Sequence, residues 1–273
     1  MSIETNNFYV EICDLCRLYR LISPLAATNI EMTIVVSNDG LRFVTETALQ
    51  FQTIIYYNSK NIKTLKFNSG DNFVIIKIPT RDFLDTLMGC GHNSIVAKLI
   101  YDEKKNEDSL YVIIDETITK TTFTIPASST IITTVFNESK TNIVQVCTLL
   151  SKPLSNNIQY VSEYVDNVKL VLSSEGIYFF SECDGCKFEC NILLKSENII
   201  EISSCFVDIY WYTANSLKKL LPYLNLAKYC KIKISRFGTL ECKVEFNDSK
   251  FSVNTVQIWI AGIHDPNIDI NKK

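Results

Sequence analysis

Cys183-Asp-Gly-Cys186-x3-Cys190 is the stretch whose residue types and spacing come nearest to reactive chemistry. A C-x2-C pair can open a zinc site or a redox centre, because both thiolates can reach one metal or each other. A structural zinc site needs a second such pair, and a redox pair opens a helix after a strand. Here Asp184-Gly185 lies between strand-like runs. Asp-Gly favours a two-residue hairpin turn, so the spacing predicts a hairpin. Cys13-x2-Cys16 stands at the start of a helical pattern and would form half a site only beside Cys183. Cys90, Cys147, Cys205, Cys230 and Cys242 sit singly in apolar stretches, where cysteine serves as a small hydrophobe. The two histidines, His92 and His264, lie far apart and read as surface loop positions rather than a catalytic pair. A metal-dependent nuclease needs clustered carboxylates. Asp102-Glu103 and Asp115-Glu116 are adjacent pairs that a strand sends to opposite faces, and Glu182-x-Asp184 gives up its aspartate to the turn. No glycine-rich phosphate loop appears in the sequence. The expectation is no catalytic residue, no metal and no cofactor.

The chain has 27 Lys and Arg against 30 Asp and Glu, a net charge of −3, with 47% hydrophobic residues. That balance excludes a disordered chain, and no apolar run approaches the roughly 18 residues of a membrane helix. Residues 1–7 carry neither a basic nor an apolar targeting segment, so a reducing interior and free thiols are expected. Near-neutrality also argues against an open-faced DNA binder, which needs clustered cations against phosphate.

Strand signals dominate. Lys231–Ser235 and Leu240–Phe246 alternate apolar and polar residues with period two, the pattern of a half-buried antiparallel strand. Similar runs span 30–36, 41–45, 51–57, 64–67, 73–78, 110–114, 121–125 and 169–172. Four segments show helical spacing: Asp14 to about Ala26, Thr80 to Cys90, Pro153 to Val165 and Thr213 to Leu224. Thr80 and Thr213 are expected N-caps and Pro153 a first-turn residue.

The chain also repeats itself. Val36-Ser-Asn-Asp-Gly-Leu-Arg-Phe43 recurs as Leu172-Ser-Ser-Glu-Gly-Ile-Tyr-Phe179. The helix opened by Thr80, with Leu84, Leu87 and Met88, recurs as the one opened by Thr213, with Leu217, Leu220 and Leu221. Ser109-Leu-Tyr-Val then matches Thr239-Leu-Glu-Cys. Three matches in order imply two tandem copies of one unit. The expected domains are 1–126 and 142–273, joined by a Ser- and Thr-rich connector over 127–141 in which 131–136 can pair as an edge strand.

This duplicated unit, with its extended connector, resembles the eukaryotic sliding-clamp fold over nearly the whole chain. Ile258-Trp-Ile-Ala-Gly-Ile263 looks like the close of clamp chains, with Gly262 where they carry proline. Residues 73–91 and Tyr210-Trp-Tyr-Thr-Ala-Asn-Ser-Leu-Lys-Lys-Leu-Leu (ending at 221) are most similar to the Rad-one family of subunits of the nine-one-one DNA-damage checkpoint clamp, relatives of proliferating cell nuclear antigen. The resemblance implies an α+β fold of two similar domains, with antiparallel sheets and four helices on one concave face. It implies a non-enzymatic subunit of a heterotrimeric ring, in the nucleus, that encircles double-stranded DNA at damage sites or stalled forks. Two related clamp subunits, an ATP-driven clamp loader, and checkpoint and repair proteins are the implied partners. No membrane is. Partner contacts are expected at Pro126, Ile131, Ile132 and Val135 of the connector and at Ile260 and Ile263 near the C-terminus. The strand over 110–114 is expected to be an edge that joins subunits.

A ring needs positive charge only on the helix faces turned toward DNA. At about 100° per residue, Arg17 and Arg20 fall opposite the Leu15, Leu18, Leu21, Ile22 and Leu25 stripe, and Lys219, flanked by Lys218, falls opposite Leu217, Leu220, Leu221 and Leu224. Arg81 stands at an edge, beside outward Asp82 and Asp85, and the third helix offers Asn156, Gln159 and Glu163. That deficit weighs against a homotrimeric replication processivity clamp, which remains the alternative. A 3′–5′ DNA exonuclease is the reading from another class.

Overall fold

The computed structural model describes residues 7–27, 30–47, 50–67, 73–89, 96–102, 108–115, 119–130, 143–183, 185–204, 209–246 and 253–263. They form two compact units. The first comprises β1 (Phe8–Ile12), α1 (Leu15–Ile22), β2 (Glu31–Ser37), β3 (Gly40–Thr47), β4 (Phe51–Asn58), β5 (Ile62–Phe67), β6 (Phe73–Pro79), α2 (Thr80–Gly89), β7 (Val96–Tyr101), β8 (Ser109–Asp115), β9 (Lys120–Pro126) and β10 (Ser128–Ser129). Its strands run in the lateral orders β5-β1-β7-β8-β9 and β10-β6-β2-β3-β4.

The second unit comprises β11 (Ile143–Leu150), α3 (Ser151–Tyr164), β12 (Asn167–Ser173), β13 (Gly176–Cys183), β14 (Cys186–Leu193), β15 (Ile199–Ser204), β16 (Ile209–Thr213), α4 (Ala214–Lys218), α5 (Leu221–Leu226), β17 (Tyr229–Ser235), β18 (Leu240–Phe246) and β19 (Asn254–Ile260). Its orders are β15-β11-β17-β18-β19 and β16-β12-β13-β14. Apart from β10 these are, strand for strand, the orders of the first unit, so the repeat legible in sequence is a repeat of topology.

The units are not simple chain halves. Ala48–Gln52 groups with the second unit and Asn247–Thr255 with the first. Within the first unit, the Asn254 side-chain oxygen accepts from the Asn58 N–H at 3.1 Å and from Asn61 Nδ2 at 2.6 Å. Within the second, the Ala261 N–H donates to the Gln50 carbonyl at 2.9 Å. β10 is the described part of the connector and pairs with Ile76 and Lys77 of β6, while 131–142 lies outside the described residues. The strand expected over 110–114 is β8, which pairs with β7 on one side and β9 on the other, so it is interior and β9 is the edge.

The helices depart from their sequence ranges at prolines. α1 ends at Ile22 and continues as a 3-10 turn over Ser23–Ala27, because Pro24 has no N–H to donate to the Arg20 carbonyl. The expected helix over 213–224 is two, α4 and α5. Pro222 cannot donate to the carbonyl of Lys218, and α5 restarts with that proline in its first turn. Thr80 opens α2 as a buried helical residue, its N–H bonded to the Ile30 carbonyl at 2.9 Å. α1 has 8 residues and would not persist in water alone. Burial of Leu15, Leu18, Leu21 and Ile22, worth about 1.5–3 kcal/mol each, holds it in the first unit.

The two matched glycines do the same work in the two copies. Gly40 has φ +128° and a Cβ there would lie 2.2 Å from the Tyr57 carbonyl oxygen of β4. Gly176 has φ +152° and a Cβ there would lie 2.3 Å from the Ile192 carbonyl oxygen of β14. Each lets a neighbouring strand pass closer than any side chain permits. β13 and β14 form a hairpin, with Cys183 opposite Cys186 and Gly185 at φ +76°; Asp184 of the expected turn lies outside the described residues.

Two predictions arise here. Gly40→Ala or Gly176→Ala combines backbone strain with a clash against immovable main chain, and each is expected to lower stability by about 2–4 kcal/mol in urea titration. Gly185→Ala, which would meet nothing within 4 Å, is expected to cost less. The second concerns acid. Glu11 is held below the usual carboxylate range, first by the Tyr9 hydroxyl and then by Thr64 and Lys63. Asp115 is likewise lowered, first by Lys98. Depressed carboxyls stabilise the fold fully above their unfolded pKa of about 4 and lose that contribution as pH falls through the folded value. Chemical-denaturation stability should therefore drop below about pH 4, and Glu11→Gln with Asp115→Asn should flatten the drop.

Candidate nucleic-acid interface

In the first unit the outward face of α1 is set by its cap. Asp14 accepts from the Arg17 N–H at 2.9 Å, which starts the helix in a phase that buries the leucines and leaves Arg20 exposed, with Arg17 half-buried. Arg20 also sits in the last turn, where a cation opposes the negative end of the helix dipole. On α2, Phe83, Leu84 and Leu87 are buried and Arg81 is exposed, but so are Asp82 and Asp85. Those carboxylates offset Arg81, and α2 offers phosphate no net attraction.

In the second unit α3 packs on α4 and α5. α3 buries Leu154, Ile158 and Val161 and exposes Lys152, Asn156, Gln159 and Glu163. Thr213 caps α4 by accepting from the Ser216 N–H at 3.2 Å, and Lys218 emerges exposed in the last turn. Lys219 behaves differently. Its ammonium lies 4.3 Å from the centre of the Phe51 ring, and burial lowers its pKa. A partly desolvated cation on an aromatic face is worth about 0.5–2 kcal/mol, so Lys219 serves packing as well as charge.

Two cations escaped the sequence reading. The Ser151 N–H donates to the Lys228 carbonyl at 3.0 Å, which brings the start of α3 beside the end of α5. Lys152 and Lys228, both exposed, are thereby neighbours of the α4–α5 face. Nothing in the local sequence signals this, because 76 positions (228 − 152) separate them. The second unit thus presents Lys152, Lys218 and Lys228 with one acidic residue on α3, Glu163, among its exposed described helix residues.

Of the expected partner-binding residues, Pro126 is exposed at the end of β9 and Ile263 is half-buried in a bridge to Trp211. Ile260 is fully buried in β19, so its side chain fills the core and is closed to a partner. Ile131, Ile132 and Val135 lie outside the described residues, as do His92, His264, Glu103, Glu116 and Asp184. Asp115 is paired with Lys98, and among the described residues no three His, Cys, Asp or Glu side chains converge to hold a metal. No helix of the described residues is long and apolar enough to cross a membrane.

The thiols separate into two classes. Cys13, Cys16 and Cys186 are exposed. Burial pushes Cys147 up to about 12 and Cys190 up to about 11, and Cys242 is raised by its hydrogen bond with Cys230 and by burial. Cys90 and Cys205 lie outside the described residues.

A family model described as repair protein Rad1/Rec1/Rad17 matches residues 7–245. Among solved structures, the chain is similar to PCNA from Thermococcus kodakaraensis, at 15% identity over 94% of this chain and 100% of that one, with TM-score 0.76. It is also similar to proliferating cellular nuclear antigen from Entamoeba histolytica, at 11% identity over 95% of this chain and 100% of that one, with TM-score 0.75. No curated protein sequence matches it.

A neutral thiol is a poor nucleophile, so reactivity should follow the two classes. At pH 8 an alkylating reagent is expected to modify Cys13, Cys16 and Cys186 in the native protein and Cys147 and Cys242 only after denaturation, as read by peptide mass mapping. Rapid native modification of Cys147 would contradict the buried assignment.

Proposed function

The chain belongs to the Rad1/Rec1/Rad17 family of repair proteins and has the sliding-clamp fold, and on that premise we propose that it is a non-enzymatic subunit of a heterotrimeric ring that encircles duplex DNA. The observation that carries the reading is the distribution of charge over the helices. α1 and the α4–α5 face present Arg20, Lys218 and Lys228, and α3 adds Lys152 alongside Glu163, whereas α2 presents Asp82 and Asp85 against Arg81 alone. Encirclement does not require tight contacts, and scattered cations on a mobile ring hold phosphates without reading bases. Three copies of this chain would repeat the acidic stretch three times, whereas related subunits can supply the missing cations. Arg17, Arg81 and Lys219 join the DNA-facing set in a secondary role.

The edges support assembly. β14 is an eight-residue strand in unbroken register with β13, and no strand covers its other side among the described residues. Open edges of that length invite pairing with another chain. Beside it, Tyr160 and Tyr164 of α3 are 50% and 51% exposed, their rings 5.4 Å apart, and Tyr164 stacks on Phe188 of β14 at 5.4 Å. Exposed aromatics of this kind are typical anchors of protein interfaces. β9, with its other side likewise open among the described residues, is the corresponding edge of the first unit. In this reading the ring acts in the nucleus, is opened by an ATP-driven loader at damage sites or stalled forks, and recruits checkpoint and repair proteins near Pro126 and Ile263.

Native mass spectrometry tests the assembly. A monomer is expected for the chain alone, joining a 1:1:1 ring with two related subunits, and a stable homotrimer would overturn the heterotrimer. For DNA, the assembled ring should persist on closed circular duplex and slide off when it is cut. Arg20→Glu with Lys218→Glu should leave assembly intact and reduce the slope of log affinity against log salt by about 1 per residue. A magnesium-dependent digestion of DNA by pure protein that Asp115→Asn abolishes would overturn the non-enzymatic assignment.

A further inference from the structure

The second unit carries a cleft of about 410 Å³ that the DNA-facing and edge-pairing roles leave unused. Its walls are the start of α3 (Pro153, Asn156, Asn157), the end of β14 (Asn191) and the following loop (Ser196, Asn198). Four asparagines and a serine are among the residues that line one space, and none of the lining residues is charged. Phosphate, carboxylate and ammonium ligands therefore find no counter-charge there. Carboxamides offer both donors and acceptors, which is the complement of a peptide main chain. Asn157 Nδ2 is shielded from water and has no acceptor within the protein, although a shielded donor is costly to leave unbonded.

The cleft is also preformed. Its loop is pinned at several points: the Leu194 N–H donates to the Glu175 carbonyl at 2.8 Å, the Leu150 N–H to the Asn198 carbonyl at 2.8 Å, and both the N–H and the hydroxyl of Ser196 to the Leu193 carbonyl, at 3.0 and 2.5 Å. A fixed wall lowers the ordering cost of binding. Finally, the cleft continues the open edge of β14, since Asn191, Ile192 and Leu193 belong to both. A strand added along β14 leads its flanking residues into the carboxamides.

We propose that this cleft binds an extended, uncharged peptide segment, supplied in the ring by the adjoining subunit where its chain flanks the strand paired to β14. The source of the segment rests on the ring reading; the chemistry of the cleft does not. The test uses the full chain, 15N-labelled, titrated with the capped peptide acetyl-Ala-Ser-Thr-Ala-N-methylamide, with sodium acetate and adenosine as parallel probes. The side-chain amide signals of Asn156, Asn157, Asn191 and Asn198 are expected to shift saturably with the peptide alone, with a dissociation constant on the order of 1 mM. Asn191→Asp, at an exposed position, should weaken binding roughly tenfold while the remaining spectrum is preserved. No saturable shift, or equal shifts with acetate or adenosine, would overturn the assignment. In the assembled ring the same signals should no longer respond to added peptide, and an undiminished response there would overturn the adjoining subunit as occupant. Peptide binding by a chain that forms no ring would instead fault the ring reading and leave the cleft's chemistry standing.

Discussion

The structure depends on short helices that cannot stand alone and must each bury one apolar stripe within their own unit. α1 does so with Leu15, Leu18, Leu21 and Ile22, and α3 with Leu154, Ile158 and Val161. Once that face is spent on burial, one outward face remains, and its chemistry is whatever the intervening positions carry. The function of the molecule is therefore written in residues that contribute little to its stability. Arg20 and Lys218 are free to face solvent because their neighbours three and four positions away hold the fold.

That same constraint explains why so much was legible in the sequence. The repeat, the two glycine turns, the helix stripes and the pairing of β13 with β14 all follow from local pattern and are present in the fold. The misread helix ends were legible too, since Pro24 and Pro222 stand in plain view and forbid a continuous ladder at those points. What the sequence withheld was lateral. Chain order does not say which strand lies outermost, and the edge expected at β8 is occupied by β9. The bond from Ser151 to the Lys228 carbonyl, the seating of Lys219 over Phe51 and the convergence of asparagines beyond β14 all depend on residues distant in the chain. The burial of Ile260 is of the same kind: the residue is apolar in either role, and only the packed strand decides between them.

Charge and edges bear on each other. A chain of net −3 that lined a hole by itself would repel part of what it surrounds. Shared among different subunits, the same chain can keep an acidic stretch on α2 provided its neighbours do not. Heteromeric assembly then demands edges that distinguish partners. β14 is equipped for this, with a stacked aromatic cluster on its helix side and a pinned carboxamide cleft at its end. Backbone pairing along the strand supplies affinity to any extended chain, whereas the flanking features can discriminate among related ones.

The exchange of Ala48–Gln52 and Asn247–Thr255 between the two units has a consequence for how such a duplication can change over time. Two copies joined only by a linker may be cut apart, shuffled or lost singly. Here each copy keeps a piece of chain encoded with the other, fastened on one side by Asn254 and on the other by the bond from Ala261 to Gln50. Severing the gene at the connector would yield two halves, each short of a segment that belongs to its own fold. The tandem units are therefore inherited as one indivisible module, and divergence can reach their surfaces far more readily than it can reach their partnership.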